Sequence, residues 1–92
     1  SGHSHHEEAG SMPGMASPAE MDRLVNLTGA RLDAQFLRLM TRHHEGGLPM
    51  AKEAARRAGT SYVRATARTM VSDQQREIDL MRMLLRGASA NG

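Results

Sequence analysis

The stretch Phe36-Leu37-Arg38-Leu39-Met40-Thr41-Arg42-His43-His44-Glu45-Gly46-Gly47-Leu48-Pro49-Met50-Ala51 decides how this chain is read. At about 100° per residue, Phe36, Met40, His43, His44, Gly47, Met50 and Ala51 share one stripe of a helix. Such a stripe is expected to face a core. This one carries two adjacent imidazoles flanked by thioethers, a donor set that suits copper better than most metals. The same side chains can also simply fill a helical interior.

Working outward, Leu32, Phe36, Leu39-Met40, Met50-Ala51, Ala54-Ala55 and Ala58 extend the helical period from about Arg31 to Ala58. Pro49 cannot donate to the Glu45 carbonyl and is expected to kink the helix, with Gly46-Gly47 loosening the same turn. Gly59 is the expected stop. Thr60 or Ser61 can cap a further helix over about Tyr62 to Leu85, whose stripe is Val63, Ala67, Met70-Val71, Ile78, Met81 and Leu84-Leu85. Upstream, Ser17-Pro18-Ala19-Glu20 is a helix start: Ser17 as N-cap, Pro18 at the first position, Glu20 completing a capping box. A short helix through Met21, Leu24 and Val25 follows, with Gly29 available to end it. Residues 1–16 lack apolar periodicity and read as a flexible tail rich in His, Met and Gly; residues 17–86 form one helical domain; residues 87–92 read as a frayed end.

The fold class is therefore all-α: a short N-terminal helix plus a long antiparallel helical hairpin. Without cysteine there is no disulfide and no thiolate site, and with one Phe and one Tyr the core must come from Leu, Val, Ala and eight Met. So small a core is expected to need a staple, a metal or a partner, and a homodimer completing a four-helix bundle is the expected form. The net charge of +2 comes from eleven Arg and one Lys against ten acids. The Arg residues are spread over outward positions without aromatic interleaving, which reads as a solvated face rather than a nucleic-acid surface. No run is long and apolar enough to insert in a membrane. No nucleophile–base pair is visible, so the chain does not read as an enzyme.

In an antiparallel hairpin closed at Gly59-Thr60, positions equally far from the turn sit side by side. Met50 is expected to meet Met70; His43 and His44 to meet Arg76 and Glu77, one turn from Gln74; Met40 to meet Leu80 and Met81; Phe36 to meet Leu84. With Met40 and Gln74 as face centres, His43, His44, Gln74 and Glu77 make a polar layer inside an apolar seam, surrounded by Met40, Met50, Met70 and Met81. In one reading Glu77 and Gln74 hydrogen-bond the imidazoles and fix helix register. In the other the layer holds a metal, with imidazole as primary ligand, carboxylate as ligand or orienting group, and thioether as soft ligand. A closed zinc site would want Cys, a di-iron bundle would want Glu-x-x-His repeats, and one carboxylate suits Ca or Mg poorly. Copper fits best. The tail residues His3, His5 and His6, with Met12 and Met15, offer a second, looser place for a metal.

The run Asp33-x-x-Phe36-x-x-x-Met40-x-x-His43-His44-x-Gly46-x-x-x-Met50-Ala51, followed by Gln74-x-x-Glu77-Ile78-x-x-Met81, resembles the signature of the domain of unknown function 305 family over roughly residues 20 to 86. The resemblance implies a ferritin-like or four-helix-type fold. It also implies an exported, extracytoplasmic protein, secreted or held at the cell envelope, and copper binding or copper tolerance in some members. The positions it carries over are Met40, His43, His44, Met50, Gln74, Glu77 and Met81, with Asp33 as a weaker candidate. Pro49, Gly47 and Leu84 depart from the family pattern, which more often has helix formers at the first two positions and Trp at the third.

Overall fold

The computed structural model describes residues 14–91, with side-chain environments for residues 14–88. The tail histidines and Met12 lie outside the described residues. Within them the chain is all-helical: α1 spans Pro18–Val25, α2 Gly29–Arg57 and α3 Ser61–Asn91.

Helix α1 starts as its sequence dictates. The Ser17 hydroxyl accepts the Glu20 N–H at 3.1 Å, and the Glu20 carboxylate accepts the Ser17 N–H at 2.9 Å. Two orphan donors of the first turn are thereby satisfied. Gly29 does not end α1. That helix stops at Val25 on an Asn26 cap, and Gly29 opens α2 at φ +59, a left-handed value that favours glycine and turns the chain from one helix into the next.

Helix α2 runs uninterrupted through Gly46, Gly47 and Pro49. Its exit differs from expectation, because Ala58 leaves the helix in extended conformation and Gly59 has no positive φ. The Arg64 guanidinium donates to the Ala58 carbonyl at 2.8 Å and thereby serves the helix end. The Thr60 hydroxyl then accepts the Val63 N–H at 3.2 Å and caps α3. Helix α3 continues past the expected Leu85 to Asn91.

The least exposed positions of α3 are Arg64, Ala67, Val71, Gln74, Ile78, Met81, Leu85 and Ala88, alternately three and four apart. Those of α2 on the facing side are Leu37, Thr41, His44, Leu48, Ala51, Ala55 and Ala58, with the same alternation. This is the spacing of an antiparallel helix pair with side chains interlocked along one seam. Ile78, at 1% exposed, is its centre. An ion pair between Arg82 and Glu45 crosses the hairpin outside the seam.

For α3 the expected centre at Gln74 holds. For α2 it does not: the seam lies about 60° around from Met40. The reason is that α2 serves two neighbours. One flank meets α3. The other flank, with Phe36, Leu39, Met40 and His43, meets α1 and the segment that precedes it. Phe36 and Met50, expected in the hairpin core, are accordingly 48% and 76% exposed, and Met70 is 49% exposed rather than buried against Met50. The molecule is only 14 Å through its shortest axis, a single layer of helices.

Candidate metal centre

His43 and His44 are neighbours in sequence, and a helix must send them in directions about 100° apart. Their ring centroids are 6.3 Å apart at 66°. His44 turns into the seam. Its Nδ1 bonds the Met40 carbonyl at 2.9 Å, and its Nε2 bonds Glu77 Oε1 at 2.6 Å. The expected His44–Glu77 meeting is thus present. These two bonds occupy both ring nitrogens, so His44 can ligate a metal only if one of them breaks.

Around the pair, Gln74 stands over Gly47, where a Cβ would lie 3.6 Å from Gln74 Oε1. Among the described residues that oxygen has no hydrogen-bond partner, and neither has the buried hydroxyl of Thr41 in the same seam. Met81 is buried, Met50 and Asp33 project outward, and the Glu77 side chain is 58% exposed at the seam's rim. The seven expected positions therefore do not converge on one point. His44, Gln74, Glu77 and Met81 belong to the hairpin seam, and Met40 and His43 line the α1 flank. Among the described residues no three His, Asp, Glu or Cys side chains gather as a metal site would require.

On the α1 flank a cavity of about 350 Å³ lies between α2 and the chain that leads into α1. Met15, Met21, Met40 and His43 line it, with Leu24 and Phe36. His43 is exposed and has no hydrogen-bond partner among the described residues.

Two features missed in the sequence hold this flank together. The first is Arg42, whose guanidinium grips the Glu20 carboxylate with both nitrogens, one bond measuring 2.9 Å, and also donates to the Met15 carbonyl at 3.4 Å. Arg42 and the Ser17 amide hold the Glu20 carboxyl at about 2, well below the usual carboxylate range. Glu20 thus closes its own helix start and pins α1 to α2. The second is Gly14, at φ +81, whose missing side chain lets the backbone lie on α2. A Cβ there would come within 2.5 Å of the Arg42 carbonyl oxygen and 3.0 Å of His43 Cα. Residues 14–16, read from the sequence as part of a tail, are instead a strap across the His43 flank. No local periodicity marks them, and a contact 22 residues apart such as Glu20–Arg42 leaves no spacing signal.

The family model of the domain of unknown function DUF305 matches residues 1–85. The chain belongs to the DUF305 family. Among solved structures, a "putative secreted protein DUF305 from Streptomyces coelicolor" is similar at 44% identity and a TM-score of 0.81, over 85% of this chain. This DUF305 chain spans about half, 48%, of that protein's length. No curated protein matches it. None of the described helices of this DUF305 chain is long and apolar enough to cross a membrane.

Proposed function

We propose that this DUF305 protein binds copper outside the cytoplasm and buffers the ion or hands it on. One observation carries the reading: the His43 imidazole, which makes no hydrogen bond among the described residues, shares a cavity with the thioether of Met40. Imidazole and thioether are soft or borderline donors, and this pairing favours copper over Mg, Ca or Mn, which take oxygen ligands. His44 and Glu77 stand behind as a hydrogen-bonded pair that fixes the α2–α3 register. The extracytoplasmic part rests on family membership and on the description of the Streptomyces coelicolor relative.

The test is metal retention. The chain is exposed separately to Cu(I), Cu(II) and Zn(II), desalted, and assayed for metal per chain beside a His43→Ala/His44→Ala variant. Copper kept by the parent and lost by the variant supports the reading; equal retention by both removes the helical histidines from it.

A second reading is favoured by a different observation. The hairpin is one layer thick, and one side of it leaves Phe36, Met50, Val63, Met70 and Leu84 about half exposed or more. Domains bury such faces against a second layer. The polar residues His43 and Glu77 of that side lie near the middle of α2 and α3, with apolar residues toward both ends. A twofold axis through that middle would set polar against polar and apolar against apolar, so a second copy of the chain fits it as a four-helix, ferritin-like bundle. Sedimentation of the parent beside Met50→Arg tests this: a dimer that the substitution dissociates supports it, and a parent that is monomeric at 100 μM or so rejects it.

A further inference from the structure

The cavity on the α1 flank combines four soft donors from three parts of the chain. Met15 comes from the strap, Met21 from α1, and Met40 and His43 from α2. We propose that these four side chains form a site for a single soft monovalent cation, Cu(I), closed by the strap Gly14–Ala16. The proposal rests on the copper reading above. It differs from the sequence expectation in its ligands, since Met15 and Met21 replace Met50, Gln74, Glu77 and Met81.

Four features of the flank support it. The donors are three neutral thioethers and one imidazole, with no carboxylate among the side chains that line the cavity. Such a set discriminates against hard divalent cations and toward d¹⁰ ions of low charge. Among the described residues the donors are also uncommitted. Met15 and Met21 are 44% and 47% exposed, so burial uses only part of their apolar surface, and His43 makes no hydrogen bond among the described residues. A packing cluster would bury its methionines further. The position of Met15 is imposed rather than incidental. Arg42 donates to its carbonyl, and Gly14 brings the backbone onto His43 through a left-handed conformation. Finally, the thioether chains are long and rotatable enough to close on an ion within a cavity larger than the ion itself. Binding is a ligation with no redox step: Cu(I) enters with its d¹⁰ shell full, and four neutral lone pairs replace the ligands it arrived with.

The test uses the full chain with Ag(I), a redox-silent probe of the same charge and softness, followed through the ε-methyl carbons of all eight methionines. At one equivalent, the Met15, Met21 and Met40 methyls shift while those of Met50, Met70 and Met83 stay in place. Met15→Leu/Met21→Leu, which conserves volume, retains its helix content and binds Ag(I) at least about tenfold more weakly. Gly14→Ala, which displaces the strap and with it Met15 while removing no donor side chain, weakens binding in the same direction. Silver that shifts Met40 and the His43 ring but neither Met15 nor Met21 would overturn the strap site while leaving the copper reading standing. A shift confined to Met12 would overturn the strap site and move binding to the segment before residue 14. No binding of silver or Cu(I) at all would end both.

Discussion

The two flanks of α2 are built from similar residues and reach opposite outcomes. Toward α3, seam positions alternate three and four apart, Ile78 is sealed from solvent, and His44 has both nitrogens engaged. Toward α1, packing is loose: a cavity remains, Met15 and Met21 stay half exposed, and His43 has no partner among the described residues. The closed flank does what a stable helix pair needs. The open flank keeps donor atoms exposed and is held by an ion pair, the close approach of Gly14 and the single buried Leu39. Adjacent histidines on one helix are thereby divided into a structural residue and a candidate ligand.

The largest effect separating the flanks is expected from Ile78→Ala. Removing a side chain sealed in the seam costs about 2–5 kcal/mol, a large share of what a domain this small possesses. Urea denaturation followed by helical circular dichroism should show the midpoint collapse. A loss below about 1 kcal/mol would mean the seam is not the cooperative core.

Next comes His44→Ala, which removes a hydrogen bond to a carboxylate and another to a carbonyl. Because Glu77 is exposed at the seam's rim, the expected loss is about 1–2 kcal/mol rather than the cost of a fully buried pair. Glu77→Gln should cost less than about 1 kcal/mol by the same measurement.

The third effect concerns how α1 is held. Arg42→Ala or Glu20→Gln should speed amide exchange in residues 18–25 and leave the centre of α3 unchanged. The pH dependence follows from Glu20, which Arg42 and the Ser17 amide hold at about 2. A carboxylate whose folded value is depressed contributes stability that is complete above its unfolded value near 4.3 and is lost as pH falls through the folded one. Docking of α1 should therefore be intact at pH 5, weaken below about 4 and be gone near pH 2. Release of α1 between pH 7 and 5 would contradict this.

The spacing of the sequence was enough to read the hairpin, the capping box at Ser17 and Glu20, the Gln74-centred face of α3 and the meeting of His44 with Glu77. The rotation of α2 was not legible, because a helix with two apolar flanks yields one blurred stripe, and Met40 sits at the crease between them. The strap was not legible because residues 14–16 take their conformation from α2, through Arg42 and the close approach of Gly14, and not from local preference. Gly29 marked a break correctly but on the wrong side of it, since a left-handed glycine can open a helix as well as follow one.

The smallest effect is expected at Met50, 76% exposed on the bare side of the hairpin. Met50→Ala should change the stability of the single chain by no more than about 0.5 kcal/mol in dilute solution. A larger loss that grows with protein concentration would show that this side is covered by a second copy.

The division of labour between the two histidines is tested most directly by Cu(I) competition against a colorimetric chelator, comparing His43→Ala with His44→Asn, each checked for retained helix. We expect His43→Ala to weaken Cu(I) binding at least about tenfold and His44→Asn to leave it within about twofold while lowering stability. Loss of copper from His44→Asn, with His43→Ala unaffected, would place the ligand in the closed seam and contradict the account.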